Sequence, residues 1–257
     1  MKRVEDLEPR VRTNMSGKFF VFEGLDGSGK ATQAKLLVES LIKEGHQVEK
    51  IDFPQYGKKS AGMVENYLTG MYGTSEEVGP YVASIFYASD RYDMGFKIRK
   101  WLEEGKIVIS DRYVISNVGH QGGKLIENLN EWDRYINWLY DLEYSIFKIP
   151  RPDYTFILKT SPELSMKMSN KITDKEKQQK RASYLGDDKK QDIHEADRNH
   201  LKNTLASYMK ISEKYPEEFK IIECTDGEDM LPIEVIAGKI LELVNELISK
   251  ASPEDKL

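Results

Sequence analysis

Two kinds of apolar pattern alternate along the chain. Short apolar runs, typical of strands buried on both faces, are separated by longer stretches in which apolar residues recur every three or four positions, as in helices. The runs predict five strands, at residues 18–22, 47–53, 106–110, 153–159 and 219–224. The longer stretches predict helices at residues 31–44, 60–69, 76–104, 125–147, 162–171, 192–214 and 231–249. This alternation predicts an α/β fold in which a five-stranded parallel sheet carries helices on both faces.

The segments outside this alternation set the predicted boundaries. The first sixteen residues contain acidic side chains and no apolar block, which is typical of neither a signal peptide nor a transit peptide. We predict a flexible extension at residues 1–16, one domain at residues 17–249 and a tail at residues 250–257.

A glycine-rich sequence, FEGLDGSGK at residues 22–30, joins the first predicted strand to the first predicted helix. It matches the G-x-x-x-x-G-K pattern, in which backbone N–H groups and a helix N-terminus surround nucleotide phosphates. Glycine permits the tight turns that this requires, and Lys30 supplies a positive charge for the β- and γ-phosphates. The candidate ATP-binding residues are Gly24, Leu25, Asp26, Gly27, Ser28, Gly29, Lys30, Ala31 and Thr32.

Ala31 departs from the usual form of this loop, where a Ser or Thr offers its hydroxyl to Mg²⁺. Thr32 lies one helical step further, about 100° around the axis, and is not expected to replace that hydroxyl. Asp111, which follows the third predicted strand, is the candidate metal ligand, together with water. Two interpretations stay open: an active enzyme with looser metal binding, or a pseudoenzyme that only binds nucleotide.

The overall charge restricts the classes of partner. The 257 residues include 38 basic and 43 acidic side chains, for a net charge of −5, which argues against a general nucleic-acid or membrane-surface binder. No apolar stretch approaches the roughly 18 residues of a membrane span. The one cysteine, Cys224, excludes an internal disulfide, fits a reducing compartment such as the cytoplasm, and is expected to pack in the core.

Three segments lie at the carboxyl ends of predicted strands: the phosphate loop, Phe53 with Pro54, and the sequence SDRY at residues 110–113. In open parallel sheets, ligands bind beyond the carboxyl ends of the strands. The sequence therefore predicts a cleft for two substrates at that edge of the sheet.

Residues 171–190 read KITDKEKQQKRASYLGDDKK, a highly charged segment with few apolar residues. Such a composition is typical of a solvated surface segment. Because it follows the fourth strand of a phosphate-binding α/β protein, it also fits a mobile lid, at about residues 171–191, that closes over phosphates and excludes water. In that second interpretation Lys180 and Arg181 bring positive charge to the phosphates.

Six motifs, in order and at suitable spacing, resemble the thymidylate kinases among the nucleoside monophosphate kinases. They are FEGLDGSGKATQ, DFPQYG, YASDRY, SDRYVISNVGHQGG, PRPD and DIHEAD, and the resemblance runs from about residue 17 to residue 248. It implies a three-layer P-loop NTPase fold with a mobile lid. It also implies transfer of the γ-phosphoryl group of ATP to dTMP with Mg²⁺, and a homodimer.

The resemblance also assigns the catalytic charges. It implies that Lys30 contacts the donor phosphates, that Arg112 holds the acceptor phosphate, and that Asp111 serves the metal. Because the loop positions at residues 25–28 carry no basic side chain, it implies that Arg181 of the lid supplies the remaining charge. Arginine suits these positions because its planar fork can pair two phosphate oxygens.

For the acceptor nucleotide, the resemblance implies that Tyr87 stacks on thymine, that Arg91 bonds its carbonyl edge and that Asp26 contacts the 3′-hydroxyl. Phe86 is the competing aromatic residue, although we expect it to face the core with Ile85. The other residues expected to line this side are Phe53, Tyr56, Arg112, Ser116, Asn117, His120 and Gln121. His120 stands where the family often has a tyrosine that senses the missing 2′-hydroxyl, so deoxyribose selectivity is left open.

Other functions stay open at this point. A GTPase-like switch needs N-K-x-D to recognise guanine, and the nearest match, NKIT at residues 170–173, has threonine in place of the aspartate. A kinase for another acceptor, such as dUMP or a deoxynucleoside, would carry the same phosphate loop.

Overall fold

The computed structural model describes residues 16–169, 198–227 and 229–249. Three predicted segments therefore lie outside the described residues: the extension apart from Ser16, the lid with Lys180 and Arg181, and the tail. The near match to a guanine motif at residues 170–173 lies outside them too.

The predicted five-stranded parallel sheet is confirmed, with small shifts of the strand ends. Its strands are β1 (Lys18–Gly24), β2 (Val48–Asp52), β3 (Ile107–Asp111), β4 (Tyr154–Lys159) and β5 (Phe219–Glu223). They lie in the order β2-β3-β1-β4-β5 and all neighbours pair in parallel. The central strand β1 is buried over almost its whole length, which explains its continuous apolar run.

Helices cover both faces of the sheet, as predicted. They are α1 (Lys30–Lys43), α2 (Gly62–Leu68), α3 (Ser75–Glu103), α4 (Val114–His120), α5 (Leu129–Tyr140), α6 (Pro162–Ser169), α7 (Arg198–Lys214) and α8 (Ile233–Ser249). Successive residues of β1 point to opposite faces. Accordingly, Phe19 packs in a core built largely from α3, α4, α5 and α7, whereas Phe20 packs in a second core with α1 and α8.

One short helix and one two-stranded hairpin among the described residues were not predicted. Helix α4 follows β3 directly and is short, so its apolar pattern is too brief to be recognised. The hairpin formed by β6 (Thr225–Asp226) and β7 (Asp229–Met230) is shorter still. The helix predicted from residue 125 begins later, at α5, because the Asn128 side chain accepts a hydrogen bond from the Glu131 N–H at 3.3 Å and caps it.

Helix α3 presents an apolar stripe to solvent. Val82, Ile85, Tyr92 and Phe96 are 47%, 42%, 43% and 58% exposed, and we call these four residues the α3 stripe. The expectation that Ile85 faces the core was wrong, because Ile85 lies on this outer side of the helix. Phe86, one position on, is buried as predicted.

Helices α4 and α7 pack closely where a glycine permits it. A Cβ atom on Gly119 would lie 2.5 Å from the Tyr208 ring, so any side chain at this position would force the helices apart. The close approach brings the start of α7 next to the end of α4. This arrangement places residues of α7 beside the carboxyl edge of the sheet.

Cys224 lies directly after β5 and is buried, as predicted. Its Sγ lies 3.3 Å from the Ile222 carbonyl oxygen, and burial raises the pKa of the thiol to about 12. The thiol therefore stays protonated at neutral pH and packs in the core. None of the helices within residues 16–169, 198–227 and 229–249 is both long enough and apolar enough to span a lipid bilayer.

Candidate active site

The register of the parallel strands brings the predicted site segments together. Phe22 of β1 pairs with Asp111 of β3, and Asp52 of β2 pairs with Asp111 from the other side. Beyond these pairs, the Arg112 N–H donates to the Phe22 carbonyl at 2.9 Å, and the Phe53 N–H donates to the Asp111 carbonyl at 3.0 Å. The phosphate loop, Phe53 and Arg112 therefore lie side by side at the carboxyl edge, where the sequence predicts the cleft.

The phosphate loop needs glycine at two positions for steric as well as conformational reasons. Gly24 and Gly27 have φ values of 140° and 88°, a region that side chains other than glycine rarely adopt. A Cβ atom on Gly24 would lie 2.6 Å from the Leu158 carbonyl oxygen, and one on Gly27 would lie 2.3 Å from the Ser165 carbonyl oxygen. The loop is therefore seated against β4 and α6, and no basic side chain fits at position 27.

Lys30 begins α1 and turns back over the loop. Its Nζ donates to the carbonyl oxygens of Gly24 and Leu25, both at 2.9 Å, and lies 3.7 Å from Asp26. Burial, followed by the positive charge of Arg112, lowers the pKa of Lys30 to about 8. The ammonium group still carries most of its charge at neutral pH. Added phosphate groups would favour that charge further.

Arg112 has an unusual backbone conformation, with φ of 69°. Side chains other than glycine adopt this region at a cost on the order of 1–3 kcal/mol, and such residues cluster at functional sites. Its backbone is held on both sides: the Ser110 hydroxyl donates to the Arg112 carbonyl at 2.6 Å, and the following Tyr113 N–H donates to the Glu23 carboxylate at 2.8 Å. The surrounding structure therefore enforces this conformation.

The Arg112 side chain has three polar partners. Its Nη2 donates to Asp26, while Nη1 donates to the Ser116 hydroxyl at 3.3 Å and to His120 Nε2 at 3.1 Å. Burial opposes the charge of the guanidinium, but nearby anions, led by Asp26, outweigh it and raise the pKa of Arg112 well above its ordinary value. Arg112 therefore stays charged and is able to bind an anion.

Asp26 compensates the two cations. Burial by itself favours the protonated form, but Arg112 and then Lys30 hold the pKa of Asp26 far below its ordinary range. Its side chain is one-third exposed, at 33%, so the carboxylate can still meet a ligand. A carboxylate between two cations keeps the site from being strongly positive before any phosphate binds.

Sequence analysis missed Glu23, which lies beneath Arg112. Its carboxylate is fully buried and accepts hydrogen bonds from the Tyr113 N–H, from the Ser116 hydroxyl at 2.7 Å and from the Tyr208 hydroxyl at 3.1 Å. Burial raises the pKa of Glu23 although Arg112 and these donors act in the opposite direction. The sequence does offer one sign of its importance, because Glu23 is a carboxylate within a largely apolar strand.

Asp111 fits a metal site. Its Oδ1 is buried and has no hydrogen-bond partner in the part of the chain that the structure describes, which is costly unless a ligand completes it. No group of three or more His, Cys, Asp or Glu side chains suitable for a metal occurs among those residues. A metal ion here would therefore take most of its ligands from phosphate and water, as Mg²⁺ commonly does in kinases.

Two aromatic residues compete for the acceptor base, and the structure separates them. Phe86 is buried against Tyr67 and Tyr72, with ring centroids 6.1 and 5.3 Å away. Tyr87 is only partly buried and meets Tyr67 edge-to-face at 6.3 Å. Tyr87 is therefore the more accessible ring, and its stacking on thymine stays a prediction.

Arg91 lies deeper than the resemblance implies. It is 1% exposed, and its Nε and Nη2 donate to Glu143, a residue that sequence analysis missed. Its Nη1 donates to the Tyr113 carbonyl at 3.3 Å. Because breaking a buried ion pair leaves an uncompensated charge, a contact from Arg91 to a base has to use a remaining N–H of Nη1 or Nη2 and keep Glu143 in place.

Two of the predicted side chains are amides, one on α4 and one directly after it. Asn117 is 2% exposed and donates to the Ser84 carbonyl of α3 at 3.3 Å. Gln121, one turn further, is buried, and its Oε1 has no hydrogen-bond partner within the described ranges. The remaining predicted residues are Phe53, which packs on Tyr113 at 5.6 Å, and Tyr56, which is partly buried beside α2 and α3.

The sequence of this chain is similar to the sequences of known proteins. A sequence model of the thymidylate kinase family matches residues 22–231. The thymidylate kinase of Thermoanaerobacter sp. (strain X514) is 32% identical over 213 residues, which cover 81% of this chain and 90% of that protein. A probable thymidylate kinase of Thermococcus kodakarensis is 31% identical over 242 residues, or 90% of this chain and 99% of that protein. The thymidylate kinase of Plasmodium falciparum is 32% identical over 154 residues, or 60% and 67%.

The matched region contains the phosphate loop, Asp111 and Arg112, which the fold brings to one edge of the sheet. It also covers most of the chain. The protein belongs to the thymidylate kinase family.

Proposed function

We propose that this protein transfers the γ-phosphoryl group of ATP to the 5′-phosphate of dTMP, forming ADP and dTDP. The observation that carries the proposal is the pair of cations around Asp26. Lys30 begins the helix after the phosphate loop, Arg112 follows the neighbouring strand, and both interact with the same carboxylate. Phosphoryl transfer between two nucleotides needs this arrangement, because two anions that repel each other must be held in line.

On the donor side, the phosphate loop and the first turn of α1 bind the ATP phosphates through backbone N–H groups. Lys30 now bonds two loop carbonyls. We propose that it turns from these carbonyls to the β- and γ-phosphates when ATP binds. An ionic partner replaces neutral ones in this exchange, so the lysine stays charged and its pKa rises from about 8.

On the acceptor side, Arg112 holds the 5′-phosphate of dTMP. An oxygen of that phosphate attacks the γ-phosphorus, the bond from the γ-phosphorus to the β-phosphate oxygen breaks, and ADP leaves. The acceptor needs no general base, because a phosphate monoester is largely dianionic at neutral pH, its second pKa lying near 6. Asp26, which now occupies one nitrogen of Arg112, is positioned to meet the 3′-hydroxyl.

We propose Mg²⁺ as the metal, held by Asp111, by phosphate oxygens and by water. The unpaired Oδ1 of Asp111 supports this assignment. When bound, Mg²⁺ neutralises charge on the phosphates during transfer. Ala31 offers no hydroxyl, so Asp111 carries more of the metal's binding than in enzymes with Ser or Thr there. Arg181, outside the described residues, is proposed to supply further charge, because the loop itself has no basic side chain.

We propose that the thymine base of dTMP is recognised by a set of five side chains. They are Tyr87, Arg91, Ser116, Asn117 and Gln121. Any base can stack on Tyr87, so selectivity for thymine has to come from hydrogen bonds with the polar side chains of this set. Gln121 supports this role because it is buried and its Oε1 has no hydrogen-bond partner among the described residues. We propose that the protein acts in the cytoplasm, in keeping with its one, buried cysteine.

We also propose that the protein forms a homodimer through the α3 stripe. Its four large apolar side chains lie on one face of the longest helix, and the Tyr92 and Phe96 rings are 5.3 Å apart. Large contiguous apolar surfaces on soluble proteins usually mark an interface. Two copies of a helix related by a two-fold axis can bury such a stripe against itself.

The reaction predicts a defined acceptor preference. ADP release with Mg-ATP should be fastest with dTMP and slower with dUMP, dCMP and thymidine, because the site holds a phosphate and a thymine base. Comparison with the ribose form of TMP tests the sugar contact, at which His120 replaces the usual tyrosine. Faster turnover with thymidine than with dTMP would indicate a nucleoside kinase. The absence of turnover with every acceptor, despite ATP binding, would indicate a pseudoenzyme.

Loss of the Asp111 carboxylate should weaken metal use. Asp111→Asn keeps the shape of the side chain but removes its charge, so we expect kcat to fall about 10²-fold and the Mg²⁺ concentration for half-maximal activity to rise. The control is Asp52→Asn, the same change at the paired position of β2. Titration of Mg²⁺ at saturating ATP and dTMP measures both quantities. Equal Mg²⁺ dependence in the two variants would argue against Asp111 as the ligand.

A charged side chain introduced into the α3 stripe tests the proposed dimer. Ile85→Glu should convert a species of twice the 29.7 kDa chain mass into a monomer, because a buried unpaired carboxylate opposes association. Val235→Glu, at a similarly exposed apolar residue of α8, is the matched control. Light scattering coupled to size-exclusion chromatography gives the masses. A monomeric unaltered protein, or a dimeric Ile85→Glu variant, would rule out this interface.

A further inference from the structure

We propose that His200, on helix α7, is a positioning residue that holds Arg112 in its acceptor-binding orientation through His120. This inference rests on the proposed assignment of Arg112 to the dTMP phosphate. The motifs of the sequence did not point to His200, which is 80 residues from His120 along the chain.

The three side chains form a continuous hydrogen-bonded series. Arg112 Nη1 lies 3.1 Å from His120 Nε2, and His120 Nδ1 lies 3.2 Å from His200 Nε2. The two imidazole planes are inclined by only 25°, and the ring centroids are 5.5 Å apart, so the rings meet edge to edge as an N–H···N bond requires. Both contacts are partly buried, so water competes less for these nitrogens than at the surface.

The chemistry of arginine fixes the proton on each ring. A guanidinium only donates hydrogen bonds, so His120 Nε2 has to accept and its hydrogen lies on Nδ1. That Nδ1–H then donates to His200 Nε2, which places the hydrogen of His200 on Nδ1 as well. Both histidines are neutral in this arrangement. His200 therefore selects the form of His120 that can bind Arg112.

A neutral acceptor orients Arg112 in a way that a carboxylate cannot. Asp26 also bonds Arg112, but its negative charge compensates the guanidinium and competes with an incoming phosphate. His120 holds Nη1 while leaving the positive charge available to the substrate. The second nitrogen, Nη2, can then exchange Asp26 for a phosphate oxygen without loss of orientation.

The position of His200 is itself fixed by packing. Tyr208, two helical turns further along α7, lies against Gly119 and donates to Glu23 at 3.1 Å. The Tyr208 ring also meets His120 edge-to-face at 6.5 Å. His120 therefore lies between two residues from one face of α7, and that face is held against α4.

The series predicts a dependence on pH. Protonation of His200 puts a hydrogen on Nε2 and removes the acceptor that His120 needs, and protonation of His120 turns an N–H toward Arg112. Within residues 16–169 and 198–227, the charged and titratable groups in contact with the pair or paired with its partner include Arg112, which opposes protonation, Asp26, which favours it, and Tyr208, which is neutral. Imidazoles titrate between about pH 5 and 8, so acceptor binding should weaken on the acid side of neutrality.

The test compares His200→Leu, which has no acceptor, with His200→Gln, whose amide oxygen can accept from His120 and does not titrate. Calorimetry gives the Kd for dTMP, and steady-state kinetics give KM for dTMP and for ATP. At pH 7.5 we expect His200→Leu to raise the Kd and KM for dTMP about 3- to 10-fold, the value of one hydrogen bond, without changing KM for ATP. His200→Gln should restore both dTMP constants.

A pH series separates positioning from simple packing. The second ionisation of dTMP, near pH 6, affects every variant equally and cancels in ratios to the unaltered protein. From pH 7.5 to 5.5, dTMP affinity should fall more steeply in the unaltered protein than in His200→Gln. Identical pH profiles, unchanged dTMP binding in His200→Leu, or equal weakening of ATP and dTMP would each overturn the proposal.

Arg112→Ala serves as the reference for the underlying assignment. If Arg112→Ala loses dTMP affinity and His200→Leu does not, the role of His200 is wrong and that of Arg112 stands. If Arg112→Ala binds dTMP as well as the unaltered protein does, the assignment of the acceptor site is wrong. Thermal unfolding of each variant shows whether α7 is still packed.

Discussion

The balance of charge among Arg112, Asp26 and Lys30 is the constraint around which the carboxyl edge of the sheet is built. Two cations with little exposure to water lie against one carboxylate, and removal of that carboxylate would leave them uncompensated. The loop carbonyls that hold Lys30, and the neutral side chains that hold Arg112, complete the arrangement without adding charge. The site is therefore stable before substrates bind and remains able to accept the negative charge that two nucleotides bring.

This balance depends on the backbone beneath it. The parallel pairing of β1 with β3 sets Arg112 beside the phosphate loop. The left-handed conformation of Arg112 persists because Glu23, buried in β1, binds the next N–H and also the hydroxyl that Arg112 contacts. The Tyr208 hydroxyl of α7 donates a further hydrogen bond to the Glu23 carboxylate. The sheet, α4 and α7 thus act together on one side chain, so changes in α7 can alter the position of Arg112 without a direct contact to it.

The local sequence pattern was sufficient to predict part of the fold and of the site. The strands and most helices follow from apolar spacing, and the phosphate loop follows from glycines within a few residues of each other. It could not recover partners that are distant in sequence: Glu143 lies 52 residues from Arg91, and Tyr208 lies 185 residues from Glu23. Helix α4 was missed because seven residues are too few for a periodic signal. The prediction that Ile85 faces the core was wrong because the sequence alone does not distinguish an apolar residue on an exposed helical face from one in the core.

The most direct test of this account is the binding of dTMP and of thymidine to the unaltered protein and to Arg112→Ala, measured by calorimetry. The two ligands differ by the phosphate alone. We expect the unaltered protein to bind dTMP about 10²-fold more tightly than thymidine, because the phosphate forms charge-assisted bonds with a partly buried arginine. Arg112→Ala should bind both ligands with similar affinity and keep its affinity for ATP. A preference for dTMP that survives in Arg112→Ala would contradict the account and place the acceptor phosphate elsewhere.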